Sequence, residues 1–175
     1  PPSPTPPSSQ LPFTYTYTTT PTGCCSGYYD DPTLTIMNDG EKPSRISRTN
    51  CVEFGNYQPA LDLGGEKMVS AVNVSYIVQA SWRKYAPDEI TIMGGPTPAD
   101  LQEQATIAAG FPSSDGGHTV QISTSRWSQV RYIVLEHVRP SVDASSRRSG
   151  TTLLAEIEVY GWTSPPASPP PASPP

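Results

Sequence analysis

Histidine, cysteine and basic residues are scarce in this 175-residue chain, and each scarcity narrows what it can do. The only histidines are His118 and His137. No nucleophile elbow, phosphate loop, dinucleotide fingerprint or zinc-protease helix accompanies them, so no catalytic constellation emerges. Glu156 and Glu158 are a carboxylate pair two residues apart, but on a strand such residues share a face without forming a cleft. The reading is therefore non-enzymatic. Lys and Arg total 11 against 16 Asp and Glu, a formal charge of −5, which lacks the basic field of a nucleic-acid binder. No apolar run approaches the roughly 18 residues of a membrane-spanning helix. The opening Pro1-Pro2-Ser3 reads as a processed protein or a piece of a longer one.

The three cysteines are Cys24, Cys25 and Cys51, one short of a four-ligand zinc set. Adjacent cysteines rarely bridge, because the peptide between them is strained. One disulfide from either Cys24 or Cys25 to Cys51 is expected, with one thiol left over. Closing a loop of about 27 residues would contribute roughly 3 kcal/mol in the chain-entropy model.

Proline is abundant, and it is concentrated at the ends. Residues 1–12 and 164–175 hold 13 of the 22 prolines. These flanks favour polyproline II, since proline fixes φ and donates no backbone hydrogen bond. Residues 13–163 then form one domain, large enough to bury a full core.

Within that domain, Phe13 to Thr20 alternates aromatic and Thr residues, as a half-buried strand does. Leu34 to Met37 is a short apolar run ending in the turn Asn38-Asp39-Gly40. Pro59 to Leu63 reads as a strand stopped by Gly64-Gly65. In Val69 to Val78, Val72, Val74, Tyr76 and Val78 share one face, and Asn73 and Ser75 the other. Glu89 to Met93 alternates as well, Leu101 to Ala109 reads as a helical turn or a further strand, and residues 119–122, 130–138 and 153–160 complete the set. About eight short strands without a long helix indicate an all-β antiparallel sandwich or barrel.

Four segments occur in a telling order: Asn38-Asp-Gly40, Tyr57-Gln-Pro-Ala-Leu-Asp-Leu-Gly64, Val69-Ser-Ala-Val-Asn-Val74 and Leu154-Ala-Glu-Ile-Glu-Val-Tyr-Gly161. Over residues 13–162 the chain resembles the discoidin-like domains of coagulation factors and related carbohydrate-binding modules, the galactose-binding-like superfamily. The resemblance implies an eight-stranded antiparallel jelly-roll β-sandwich with ligand loops at one end. It also implies a calcium ion near the Asp-Gly turn, held by Asp39 and Glu156 with the carbonyls of Met37 and Gly40. Calcium takes six to eight oxygens, and a tight turn exposes several carbonyls together. The alternative is an Asx turn at Asp39 and a solvated Glu156. Sugar-stacking aromatics vary in position among the relatives; Trp82 and Tyr85, in a loop with two cations, are the local candidates. The alternative for Trp82 is packing over the end of the sandwich. Trp127 reads as the opening of a core strand, and Ser141 to Gly150 as a solvated excursion.

The flanks resemble hydroxyproline-rich wall and surface glycoproteins of green algae and plants. That resemblance implies glycans on hydroxylated Pro2, Pro4, Pro6, Pro7, Pro166, Pro170, Pro171 and Pro175, and on Ser168. Asn73-Val-Ser75 is a formal N-glycosylation sequon. Similar flanks at both ends look like a segment of a repeating chain. The leading expectation is an extracellular structural glycoprotein of a wall, matrix or surface appendage, self-associating as its tails dock on neighbouring units. The alternative is a carbohydrate-binding module tethered by proline-rich linkers, and a weaker third is an adhesin for protein or lipid surfaces.

Overall fold

The computed structural model describes residues 8–18, 31, 33–46, 51–54, 58–123, 130–138 and 152–163. Nine strands form there: β1 (Ser9–Leu11), β2 (Thr14–Tyr17), β3 (Val52–Phe54), β4 (Pro59–Val78), β5 (Glu89–Gly95), β6 (Gln102–Ile107), β7 (Gly116–Ser123), β8 (Val130–Val138) and β9 (Thr152–Trp162). Every pairing is antiparallel. The helical content among the described residues is two single 3-10 turns, Ile36–Asn38 and Ala80–Trp82. No helix of the described residues is long and apolar enough to cross a membrane.

The two strands expected at Pro59–Leu63 and Val69–Val78 are one 20-residue strand, β4. Its first half pairs β2 and β8, and its second half pairs β7 and β9. The register against β8 shifts between Asp62 and Lys67. Gly64-Gly65 does not end the strand; it lies where β4 leaves one sheet and enters the other. The first sheet runs β7-β4-β9, with β3 and β1 sharing the far edge of β9. The second runs β2-β4-β8-β5-β6. Leu101–Ala109, read as turn or strand, contains the edge strand β6.

Alternation puts the core between the sheets. Val72, Val74, Tyr76 and Val78 of β4 meet Leu61, Ile90, Ile92, Ile133, Leu135, Leu154, Ile157 and Val159 in one buried cluster. Removing each of these side chains from water contributes about 1.5–3 kcal/mol. A register shift of β9 against Ser75 and Tyr76 lets Leu154 and Ile157, three apart, both face inward. Glu156 and Glu158 then stand opposite Ser75 and Asn73 on the outer face.

The boundary expected at residue 13 moves. Ser9 pairs Gly161 and Leu11 pairs Val159, and Leu11 is only 1 % exposed. Strand pairing and a buried leucine make these residues part of the sandwich. Cys24, Cys25, Pro2, Pro4, Pro6, Pro7, Pro166, Pro170, Pro171, Pro175, Ser168, Trp127 and residues 141–150 lie outside the described residues; Cys51 is buried.

Candidate functional site

The loop after β4 closes into a compact hairpin. Gln79 and Lys84 exchange backbone hydrogen bonds of 2.9 and 3.1 Å, and the Trp82 amide donates to the Gln79 carbonyl at 3.0 Å. Arg83 turns the chain in the left-handed region at φ 57, its amide donating to the Ala80 carbonyl. Asp115, in the loop before β7, accepts from the Ala80 amide at 2.9 Å and ties the hairpin down. Trp82 is thereby held on a firm backbone while its side chain stays 57 % exposed. An indole covering the end of the sandwich would be mostly buried, so the packing alternative does not describe it.

Beneath Trp82 lies a cavity of about 350 Å³ lined by Ser44, Arg45, Ile46, Gln79, Asp115 and Gly116, among others. An exposed aromatic beside an apolar floor and several polar groups offers a ring face and hydrogen-bond partners together, the combination that sugars require. Tyr85 is half-buried and does not line this cavity. The structure thus brings one of the two expected aromatics to the cavity.

The other wall, Ser44–Ile46, continues from the Asp39-Gly40 turn. Gly40 adopts φ +82, open to glycine at no steric cost. Its amide donates to Glu156 Oε2 at 3.1 Å. Asp39 accepts from the Glu41 amide at 2.8 Å, forming the Asx turn, and its charge lies close to the Glu156 carboxyl. Glu156 is 1 % exposed, not a solvated strand residue. Burial, followed by the adjacent Asp39 charge, pushes its carboxyl up to about 7, against the opposing Gly40 amide. Glu156 Oε1 is buried without a hydrogen-bond partner.

A buried carboxyl with one unpartnered oxygen, close to a second carboxylate, is a donor set that fits a hard dication. Two carboxylates do not complete such a site. Among the described residues no cluster of three His, Cys, Asp or Glu side chains is able to hold a metal, so further ligands would be carbonyls. Met37 is buried, and its amide donates to Tyr15 Oη at 3.1 Å.

Two further polar groups lock this segment down. Lys42 Nζ reaches Glu158 Oε2 at 2.6 Å, and Asn73 Nδ2 donates to the same oxygen at 3.1 Å. The sequon asparagine is therefore on a face covered by the segment rather than on an open one, with its amide nitrogen engaged. Asp31, only 5 % exposed, accepts from the hydroxyls of Tyr15 and Tyr17 and from the Thr35 amide. Nothing in the sequence around Asp31 signalled this role.

No family model matches the sequence, and no curated protein matches it. Solved structures do. A CBM32 module produced by Clostridium perfringens matches with a TM-score of 0.56 at 11 % identity, over 85 % of this chain and 93 % of that one. The fold is that of CBM32 modules. The CBM32 module of AlyQ, solved in complex with 4,5-unsaturated mannuronic acid, matches at TM-score 0.52 and 16 % identity, covering 86 % and 97 % of the two chains. Another Clostridium perfringens CBM32 module, in complex with GalNAc-β-1,3-galactose, matches at 0.51 and 13 %, covering 86 % and 99 %. CBM32 modules are galactose-binding-like sandwiches, as the sequence motifs implied. At these identities the likeness is one of fold, and the loops of each module are its own.

Proposed function

We propose that this chain is a carbohydrate-binding module whose sugar site is the Trp82 cavity. The observation that carries the reading is the exposed indole held on a hydrogen-bonded hairpin over a polar-lined cavity. That three-dimensional match with sugar-complexed modules of the same fold supports it. This reading replaces the leading expectation of a fibre-forming structural unit with the alternative drawn from the same sequence. A sugar ring would stack its apolar face on Trp82, while Gln79, Asp115 and Arg45 meet its hydroxyls.

Asp39 and Glu156 would hold a calcium ion together with turn carbonyls, Met37 and Gly40 among the candidates. The ion would neutralise the buried Glu156 carboxylate and the exposed Asp39 beside it. Its role is to fix the turn at residues 38–40, and through it the wall Ser44–Ile46, so sugar affinity depends on calcium without the ion touching sugar. The test is sugar-array screening followed by calorimetry on the best ligand. Trp82→Ala should weaken binding at least ten-fold with an unchanged melting temperature. Unaltered affinity in a folded Trp82→Ala variant would place the sugar elsewhere.

A further inference from the structure

The second sheet carries an apolar trough on its outer face, on the opposite side of the sandwich from the Trp82 cavity. Outer faces of antiparallel sheets are ordinarily polar. Here two cross-strand rows run over the sheet: Thr16-Ala60-Val134-Met93 and Thr14-Asp62-Tyr132-Gly95. Ala60 makes a low floor between Thr16 and Val134. Pro98 and Leu101 form one wall of the resulting trough, whose volume is about 370 Å³. That wall exists because position 95 is glycine: a Cβ there would lie 2.2 Å from the Asp100 carbonyl oxygen, so the loop 96–101 folds directly onto the strand. Thr97 closes the loop by donating to Asp100 at 2.7 Å. Arg131 is clamped to Asp62 by bonds of 3.0 and 3.1 Å, and its guanidinium lies 4.8 Å from the centre of the Tyr132 ring.

We propose that this trough docks a polyproline II segment, and that its occupant is the chain's own C-terminal flank, residues 164–175 (SPPASPPPASPP). The chemistry matches on both sides. Prolines present pyrrolidine rings to Tyr132, Leu101 and Val134, and their carbonyls, which no proline N–H can pair, accept from the exposed Thr14 and Thr16 hydroxyls. The geometry matches as well. β9 ends at Trp162, paired with Met68, six residues along β4 from Asp62 in the trough. Six strand residues span about 20 Å. β9 runs antiparallel to β4, so it leaves heading toward the Asp62 end; twelve residues of polyproline II span roughly 37 Å, which gives the flank the reach to lie along the trough. The N-terminal flank leaves from Ser9, opposite Gly161, on β1 at the far edge of β9 from β4.

The experiment uses the full chain carrying a photoreactive benzophenone side chain, Tyr132→p-benzoylphenylalanine, with crosslinks mapped by mass spectrometry at low protein concentration. Crosslinks within one chain to residues 164–175 are expected, and Ala60→Arg, which fills the floor, should cut their yield at least ten-fold. Crosslinks to residues 1–8, to a second copy or to no segment would overturn the proposal. A second measurement guards against a perturbing probe: changing the seven flank prolines to serine should shift the amide resonances of Thr14, Thr16, Ala60 and Val134. Unmoved resonances would also overturn it.

Discussion

Replacing Glu156 by glutamine should stabilise the metal-free protein at neutral pH and remove much of its pH dependence. Burial, then the neighbouring Asp39, raises the Glu156 carboxyl from 4.5 to about 7 in the folded chain. As pH rises, the unfolded chain releases this proton first. Between about 4.5 and 7 the folded state still holds it, so folding loses stability across that window. Below the window both states are protonated and the group contributes nothing. Above it both are ionised and the cost is complete: the difference 7 − 4.5, about 2.5 units, corresponds to roughly 3 kcal/mol. At about 2–4 °C per kcal/mol for a domain of this size, the melting temperature falls by ~6–12 °C. Glutamine keeps an acceptor for the Gly40 amide and carries no charge. Glu158 does not share this trend: burial raises it, but hydrogen bonds from Lys42 and Asn73 outweigh burial and hold it below the usual range. Circular-dichroism melts with chelator from pH 4.5 to 8.5 should converge at the acid end, separate between about pH 4.5 and 7, and hold that gap above pH 7, with Glu156→Gln the more stable. Curves parallel from pH 4.5 to 8.5, or a variant that melts lower at pH 8, would refute the reasoning. Calcium added at pH 8 should raise the wild-type melting temperature and leave the variant unmoved.

Three other outcomes follow from single contacts. Tyr15→Phe removes the hydroxyl that donates to buried Asp31 and accepts from the Met37 amide; urea titration should show a loss of about 1–3 kcal/mol, and an unchanged midpoint would mean that water replaces it. Gly95→Ala forces its Cβ against the Asp100 carbonyl, which should cost about 1–3 kcal/mol and displace the loop 96–101; an unaltered melt and unshifted loop resonances would contradict that. Asn73 should stay unglycosylated when the chain is secreted from eukaryotic cells, because its amide nitrogen is engaged by Glu158 beneath Lys42. Glycopeptide mapping decides this, and a glycan at Asn73 would show that the face opens.

The strand pattern was legible because alternation is a local signal. Val72, Val74, Tyr76 and Val78 fall on one face by spacing alone, and they are the core face of β4. The errors arose where non-local pairing overrides local chemistry. Gly64-Gly65 is a strong stop signal, yet β4 continues through it because β8 on one side and β9 on the other supply partners to both halves. Ser9-Gln-Leu11 sits in a proline-rich stretch with no strand pattern of its own, and it is recruited by the free edge of β9. Three residues carry too little periodicity to announce themselves.

The site was legible in part for the same reason. Asp39 and Glu156 lie 117 positions apart in the sequence, and only the motif order suggested that they meet. What the sequence did not reveal is that one segment serves both features. Asp39 and Gly40 adjoin Glu156, Lys42 reaches Glu158, and Ser44–Ile46 wall the Trp82 cavity. Ser75, opposite Glu156, and Ile77, which lines the cavity, are two residues apart on β4, so the carboxylate pair and the Trp82 cavity are neighbours along one strand. Under the proposed function, ion binding at the carboxylate pair and sugar binding at Trp82 would be coupled through this one surface segment. A chelator should therefore weaken sugar binding in the wild type and have no further effect once Trp82 is removed. A chelator effect confined to melting temperature, with affinity intact, would separate the two features and leave the carboxylate pair a purely structural device.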